Sequence, residues 1–127
     1  MIPRVSVTTA RGTVDVQVFG IQKSADTRKA LRFFKERRVN THFVDLKVRA
    51  ASKGELARFA QRFGVDAILD RESKRFQALG LGSAHYSEKK WLELLVDEPL
   101  LLKVPLVRRG NLLSVGLAED AWKGWLL

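Results

Sequence analysis

Apolar and polar residues alternate with period two over Val14–Phe19 (VDVQVF), which predicts a half-buried strand. From Ala25 to about Arg38 the period lengthens to that of a helix. Ala30, Leu31, Phe33 and Phe34 make its apolar face, and Arg28, Arg32 and Lys35 make a basic stripe at helical spacing. Thr41–Lys47 (THFVDLK) reads as a second strand. Ser52-Lys53-Gly54-Glu55 has the spacing of a capping box, in which the serine hydroxyl and the glutamate each satisfy an amide of the first turn. The helix it opens places Leu56, Phe59, Ala60 and Phe63 on one buried face and stops at Gly64. A short helix is predicted over Ser73–Leu79, ended by Gly80-Leu81-Gly82. Another, capped by Ser87, turns Trp91, Leu92 and Leu95 inward and ends near Asp97-Glu98-Pro99, because proline disfavours helix in the residue before it. Val104–Val107 and Leu112–Val115 read as strands joined by Arg108-Arg109-Gly110-Asn111. A last helix from Ala118 puts Ala121, Trp122 and Trp125 on one face.

The order of elements is β-α-β, a block of helices, a β-hairpin and a final helix. A β-α-β unit is parallel and right-handed, and an antiparallel hairpin can extend its sheet. The predicted class is therefore α/β: a thioredoxin-like fold with a helical insertion around a mixed four-stranded sheet. The 127 residues suit one domain. It is drawn at 13–127, after an N-terminal extension (1–12) with a strand at Val5–Thr9, and no internal repeat divides it. Pro105, inside a strand, needs an edge position, a bulge or a cis bond. Trp91, Trp122 and Trp125 share helical spacing with other apolar residues, which assigns them to the core rather than to base stacking.

Composition narrows the chemistry. The chain has no cysteine, which excludes disulfides, thiolate metal sites and thiol-based redox catalysis. His42 and His85 lie on separate segments and suit surface or capping roles, so no metal or other cofactor is expected. The formal net charge of +9 points to an acidic partner: a protein face, a small anion or nucleic acid. Nucleic acid ranks behind protein because no recognised nucleic-acid-reading motif is present. No apolar run approaches the ~20 residues that span a bilayer, so no membrane partner is expected. The segment MIPRVSVTTARG has no long apolar core and no small-residue cleavage site, which predicts a cytoplasmic address.

The loop between the first strand and helix, GIQKSADTRKAL, is the place for chemistry. Two readings of Ser24 stay open. Serine is a preferred N-cap. Alternatively, the first-turn amides with Lys23, Ser24 and Arg28 hold a phosphate or carboxylate. As a nucleophile Ser24 needs an adjacent base. The carboxylate near it in sequence, Asp26, is equally suited to capping or to pairing with Arg28.

These segments resemble the ArsC/Spx family of arsenate reductases and their relatives over roughly residues 15–127. The resemblance lies in a strand ending at Gly20 with TRKAL opening the first helix, in FGVDAILDRESKRFQALGL, in DEPLLLKVPLV and in SVGLAEDAWKGWLL. LDRESKRFQ is especially similar to the Spx-like branch. The resemblance implies that Ser24 stands where the family has its cysteine, and Thr27 where the Spx branch has a second. Val104 stands where an arginine precedes the family proline, here Pro105. Asp70 and Val115 stand where some arsenate reductases carry further arginines. Arsenate reduction is therefore not expected here.

The resemblance further implies that Val104-Pro105 is a cis pair opposite the Ser24 loop, where backbone groups can meet an extended peptide or glutathione. Spx-like proteins bind the C-terminal domain of the RNA polymerase α-subunit, and that role needs no catalysis. The expected function is thus a non-catalytic binding or regulatory protein that docks on an acidic protein, the transcription machinery being one candidate. Arg32 and Lys35, joined by Arg108 and Arg109, are its candidate contact surface, and a solvated face is the plain alternative. The competing function is a residual oxyanion- or glutathione-binding, oxidoreductase-like module built from Lys23, Ser24, Thr27, Arg28, Val104 and Pro105.

Overall fold

The computed structural model describes residues 15–127. The proposed extension 1–12, the strand Val5–Thr9 and Val14 lie outside the described residues. Four strands form one sheet in the order β2-β1-β3-β4: β1 (Asp15–Gly20), β2 (Asn40–Asp45), β3 (Leu106–Arg109) and β4 (Leu112–Val115). β1 and β2 run parallel, with Asp15 opposite Asn40. β3 runs antiparallel to both β1 and β4. The fold is the expected mixed α/β, thioredoxin-like arrangement.

Helix α1 (Ala25–Glu36) crosses between the parallel strands. It forms because Thr27, Ala30, Phe33 and Phe34 recur at helical spacing and all four are buried. Leu31 is only half-buried. With Val16, Val18 and Val107 this face makes one core, completed by Trp122 of α6 (Glu119–Trp125). The Trp122 ring lies 5.3 Å from Phe33 and 5.1 Å from Phe34 between centroids. Its indole N–H donates to Ser114 Oγ at 2.8 Å, so the one polar atom of the ring is satisfied in the core.

The opposite face of the sheet carries a second core from Phe19, Val44 and Leu106. It packs against α2 (Lys53–Phe63), α3 (Val65–Ile68), α4 (Lys74–Ala78) and α5 (Glu88–Asp97). Serines start three of these four helices. Ser52, Ser73 and Ser87 accept from the backbone N–H groups of Glu55, Phe76 and Lys90, and the predicted capping box at Ser52–Glu55 is complete. Desolvation raises the Glu55 carboxyl pKa, but hydrogen bonds from Ser52 and the Arg49 charge outweigh it, so the group lies below its ordinary value. Among the described residues no helix is long and apolar enough to cross a membrane.

Several sequence expectations are corrected. Phe63 is 39% exposed rather than part of the α2 core face. The helix ends there, Gly64 turns at φ +88°, and Val65 and Ile68 of the unforeseen α3 are buried instead. Ala121 is exposed and Trp125 half-buried, so Trp122 is the residue α6 buries. α1 stops at Glu36 rather than near Arg38, and β2 spans Asn40–Asp45 rather than Thr41–Lys47. At Asp45 the chain turns, and its carboxylate accepts from the Lys47 amide at 3.0 Å. β3 begins at Leu106, after Pro105, and keeps Arg108 and Arg109 in the strand. The connection is therefore Gly110-Asn111, with Gly110 at φ +59°, and not the four-residue turn expected.

Candidate functional site

The start of α1 is built by local hydrogen bonds. Ser24 has extended backbone angles, and its Oγ accepts from the Thr27 amide at 3.1 Å, so the residue is a true N-cap. The Ser24 amide donates to Ile21 O at 3.1 Å, and Arg28 Nη1 donates to Gln22 O at 2.7 Å, closing the loop on itself. Lys23 is exposed. Asp26 sits in the first turn, where a negative charge suits the helix dipole.

Thr27 is fully buried, and its Oγ1 has no hydrogen-bond partner among the described residues. The cause lies next door. A Cβ added at Gly20 would fall 2.5 Å from Thr27 Oγ1, so the end of β1 presses directly against the helix at this point. Glycine is required there for the close approach.

Ser24 and Val104 line one cleft of about 580 Å³ together with Ile21, Asp70, Lys103 and Gly116. The Val104–Pro105 bond is cis. Pro105 is buried, and its carbonyl accepts from the Gly116 amide at 2.8 Å. The tertiary fold therefore brings together Ser24, Asp70 and Val104, residues far apart in sequence, and sets Thr27 behind them in the core.

The cleft has mixed charge. Asp26, Asp70, Lys74, Arg75 and Lys103 all contribute to its wall. Arg75 is already occupied, since its Nε and Nη2 grip Glu98 Oε1 and Oε2 at 2.6 and 2.9 Å. This bidentate pair holds the Glu98 carboxyl below its ordinary pKa and raises that of the guanidinium. Asp70 is fixed by its own backbone, with N–H to Leu101 O at 2.7 Å and Oδ1 accepting from the Glu72 amide at 3.0 Å. Sequence reasoning had not singled out Lys74, Arg75 or Lys103. Arg75 and Glu98 are 23 residues apart, and only the docking of α4 beside the end of α5 makes them neighbours.

The basic residues divide between two faces. Arg28, Arg32 and Lys35 are exposed along α1. None of them is in an ion pair among the described residues. Arg108 projects to the other face of the sheet: it follows Leu106 at the two-residue spacing of the pleat, and its Nη1 reaches Gln17 Oε1 at 3.4 Å. Its Nε donates to Gly110 O at 2.9 Å. Arg109 lies on the same side of the sheet as Val107, facing the α1–α6 layer. Arg108 thus does not share a face with Arg32 and Lys35. His42 and His85 are exposed, and among the described residues no group of three or more His, Cys, Asp or Glu side chains could hold a metal ion.

Residues 19–125 match the profile of the ArsC family. The chain belongs to the ArsC family. It is similar, at 28% identity over 80% of its length and 89% of the other chain, to the uncharacterized protein YusI of Bacillus subtilis. It is 30% identical to the global transcriptional regulator Spx 2 of Oceanobacillus iheyensis, over 83% of this chain and 78% of that one. Among solved structures, the YFFB protein superposes with a TM-score of 0.81 at 26% identity, covering 88% of this chain and 99% of that chain. An arsenate reductase from Vibrio cholerae superposes with a TM-score of 0.78 at 19% identity, over 88% and 98% of the two chains, which establishes the shared fold. As a family member without any cysteine, this chain cannot carry a thiol reaction.

Proposed function

We infer that this protein is a docking or regulatory member of its family, working by protein–protein contact rather than by thiol chemistry. The observation that carries the reading is the state of the α1 N-terminus. The Ser24 hydroxyl accepts the Thr27 amide as a helix cap, in a chain with no sulfur nucleophile, while Arg28, Arg32 and Lys35 stand exposed in line along the same helix. Asp70 adds a carboxylate to the cleft at a place where the family resemblance expects an arginine, which weakens the cleft as an anion trap. The partner is an acidic protein surface. Similarity to a transcriptional regulator makes the C-terminal domain of the RNA polymerase α-subunit the first candidate.

A calorimetric titration with that purified domain tests the reading. Saturable binding, weakened at least tenfold by the double charge reversal Arg32→Glu/Lys35→Glu and unchanged by Ser24→Ala, is the expected result. Absence of heat at every concentration tested would remove the polymerase domain as partner.

A second reading has its own support. Lys74 and Lys103 line the cleft with Ser24 and the Val104 segment, which suits a small anion or the carboxylates of glutathione. It predicts phosphate or glutathione binding that Ser24→Ala and Lys103→Ala both weaken, and a flat titration at millimolar ligand would eliminate it.

A further inference from the structure

We propose that the groove between the C-terminal end of α1 and the outer edge of β2 receives an extended acidic segment of a partner protein, added to the sheet as a strand beside β2. This rests on the docking reading above and locates a contact which that reading leaves open.

The groove holds about 580 Å³ and is lined by Leu31, Lys35, Arg38, Val39, Asn40 and Thr41. β2 is the outermost strand on this side, and among the described residues nothing pairs with its outer edge. Such an edge presents backbone N–H and C=O groups that a peptide strand can complete. The pleat turns Phe43, and with it Thr41, toward the α1 layer, where Phe43 packs on the core of Val16, Val18 and Phe34. A strand laid beside β2 would turn alternate side chains to the same face. Acidic ones would meet Lys35 and Arg38, and their stems would rest on Leu31 and Val39.

Arg38 gives the groove a specific mark. It has φ +58°, the left-handed conformation, and is the one non-glycine residue among the described residues with positive φ. Its amide donates to Lys35 O and that of Val39 to Phe34 O, both at 3.0 Å, which is the helix-ending turn that favours glycine at this position. Its neighbour Arg37 is used internally, stacked 3.6 Å over the Phe33 ring and donating to Phe33 O at 3.1 Å. Arg38 has no side-chain hydrogen bond or ion pair among the described residues. A strained position occupied by a charged residue that has no side-chain partner among the described residues points to a contact outside the chain.

Charge selects the occupant. Residues 23–38 carry seven basic and two acidic side chains. The Asp15 carboxylate at this end of the sheet accepts from Asn40 Nδ2 at 2.7 Å. The chain's own residues 1–14 contain Arg4 and Arg11 and no carboxylate, so they do not complement the groove. No aromatic side chain lines it for base stacking, which favours a peptide over single-stranded nucleic acid.

The test is fluorescence anisotropy at low ionic strength with the full chain. The probe is a fluorescein-labelled decapeptide of alternating glutamate and threonine. The controls are the alternating lysine–threonine peptide, the glutamate peptide N-methylated at alternate residues, and an oligothymidine. The glutamate peptide is expected to saturate. N-methylation should abolish binding, and Lys35→Glu/Arg38→Glu should weaken it more than tenfold. Arg38→Gly should raise the unfolding midpoint by about 2–5 °C while weakening the peptide by about threefold to fivefold. That combination also rules out misfolding as the cause of lost affinity.

Equal binding of the N-methylated peptide, tighter binding of oligothymidine, no binding of the glutamate peptide, or an Arg38→Gly variant of unchanged affinity would each overturn the proposal. Polymerase-domain binding that is lost with Arg32→Glu yet untouched by Arg38→Gly would leave the docking function standing and sink the groove alone.

Discussion

Ser114 and Thr27 are both buried hydroxyl residues, and they sit against the same helix layer with opposite fates. Ser114 Oγ accepts the Trp122 indole N–H at 2.8 Å in the seam where α6 closes over Phe33 and Phe34. Thr27 Oγ1, at the start of α1, has no partner among the described residues and lies against Gly20. In the seam, polarity and shape are matched together, because a buried N–H without an acceptor costs about 1–3 kcal/mol. At the head of α1 only shape is matched. The close approach of Gly20 limits the size of residue 27, and nothing there rewards its hydroxyl. The position is thus constrained in size and not in polarity.

This contrast can be broken by mutation. Trp122→Ala should cost the most, about 3–5 kcal/mol in denaturant unfolding, through a cavity between Phe33 and Phe34. A loss below 1 kcal/mol would show that the α6 seam is not a core. Gly20→Ala comes next, at about 1–3 kcal/mol, because the new methyl meets Thr27 Oγ1 at 2.5 Å. Combining it with Thr27→Ala should recover most of the loss, and additivity of the two changes would deny the contact.

Thr27→Val is expected to gain up to about 1 kcal/mol by deleting the orphan hydroxyl. Destabilisation of similar size would mean that the hydroxyl has a partner after all, and the contrast with Ser114 would fail.

The smallest effect concerns the satisfied pair at the rim of the cleft. The Glu98 carboxyl is held below its ordinary pKa in the folded protein by the Arg75 hydrogen bonds. Its contribution is therefore present above the unfolded-state value and disappears as pH falls through the depressed folded value. The stability difference between wild type and Glu98→Gln should accordingly be present at neutral pH and vanish in acid. A difference independent of pH would show that the carboxylate charge is not the cause.

Much of the helix and strand order was legible in the sequence, and so was the family through motifs such as LDRESKRFQ and DEPLLLKVPLV. Ser52 and Ser87 cap the helices expected of them, Ser24 takes the capping one of its two readings, and Ser73 caps the short helix it was expected to begin. A cap joins residues three apart, so its partners are already present in the local sequence. Phe63 was misread because helical spacing describes a face but not where the neighbouring element ends. The four-residue helix α3 was too short for periodicity to register. The Arg75–Glu98 pair escaped notice because no local signal joins residues on separate helices.

By itself the sequence determined that this protein carries no thiol chemistry, that most of its helices begin at serine caps, and that its first helix bears a line of cations. Which of those cations share a surface was decided only in three dimensions. Strand pleat and register send Arg108 to the face opposite Arg32 and Lys35, and chain reversal after α1 sets Arg38 beside the outer edge of β2. The physical reason is range. Composition and capping act within a few residues, whereas the direction in which a side chain leaves a sheet depends on strands that pair from distant parts of the chain.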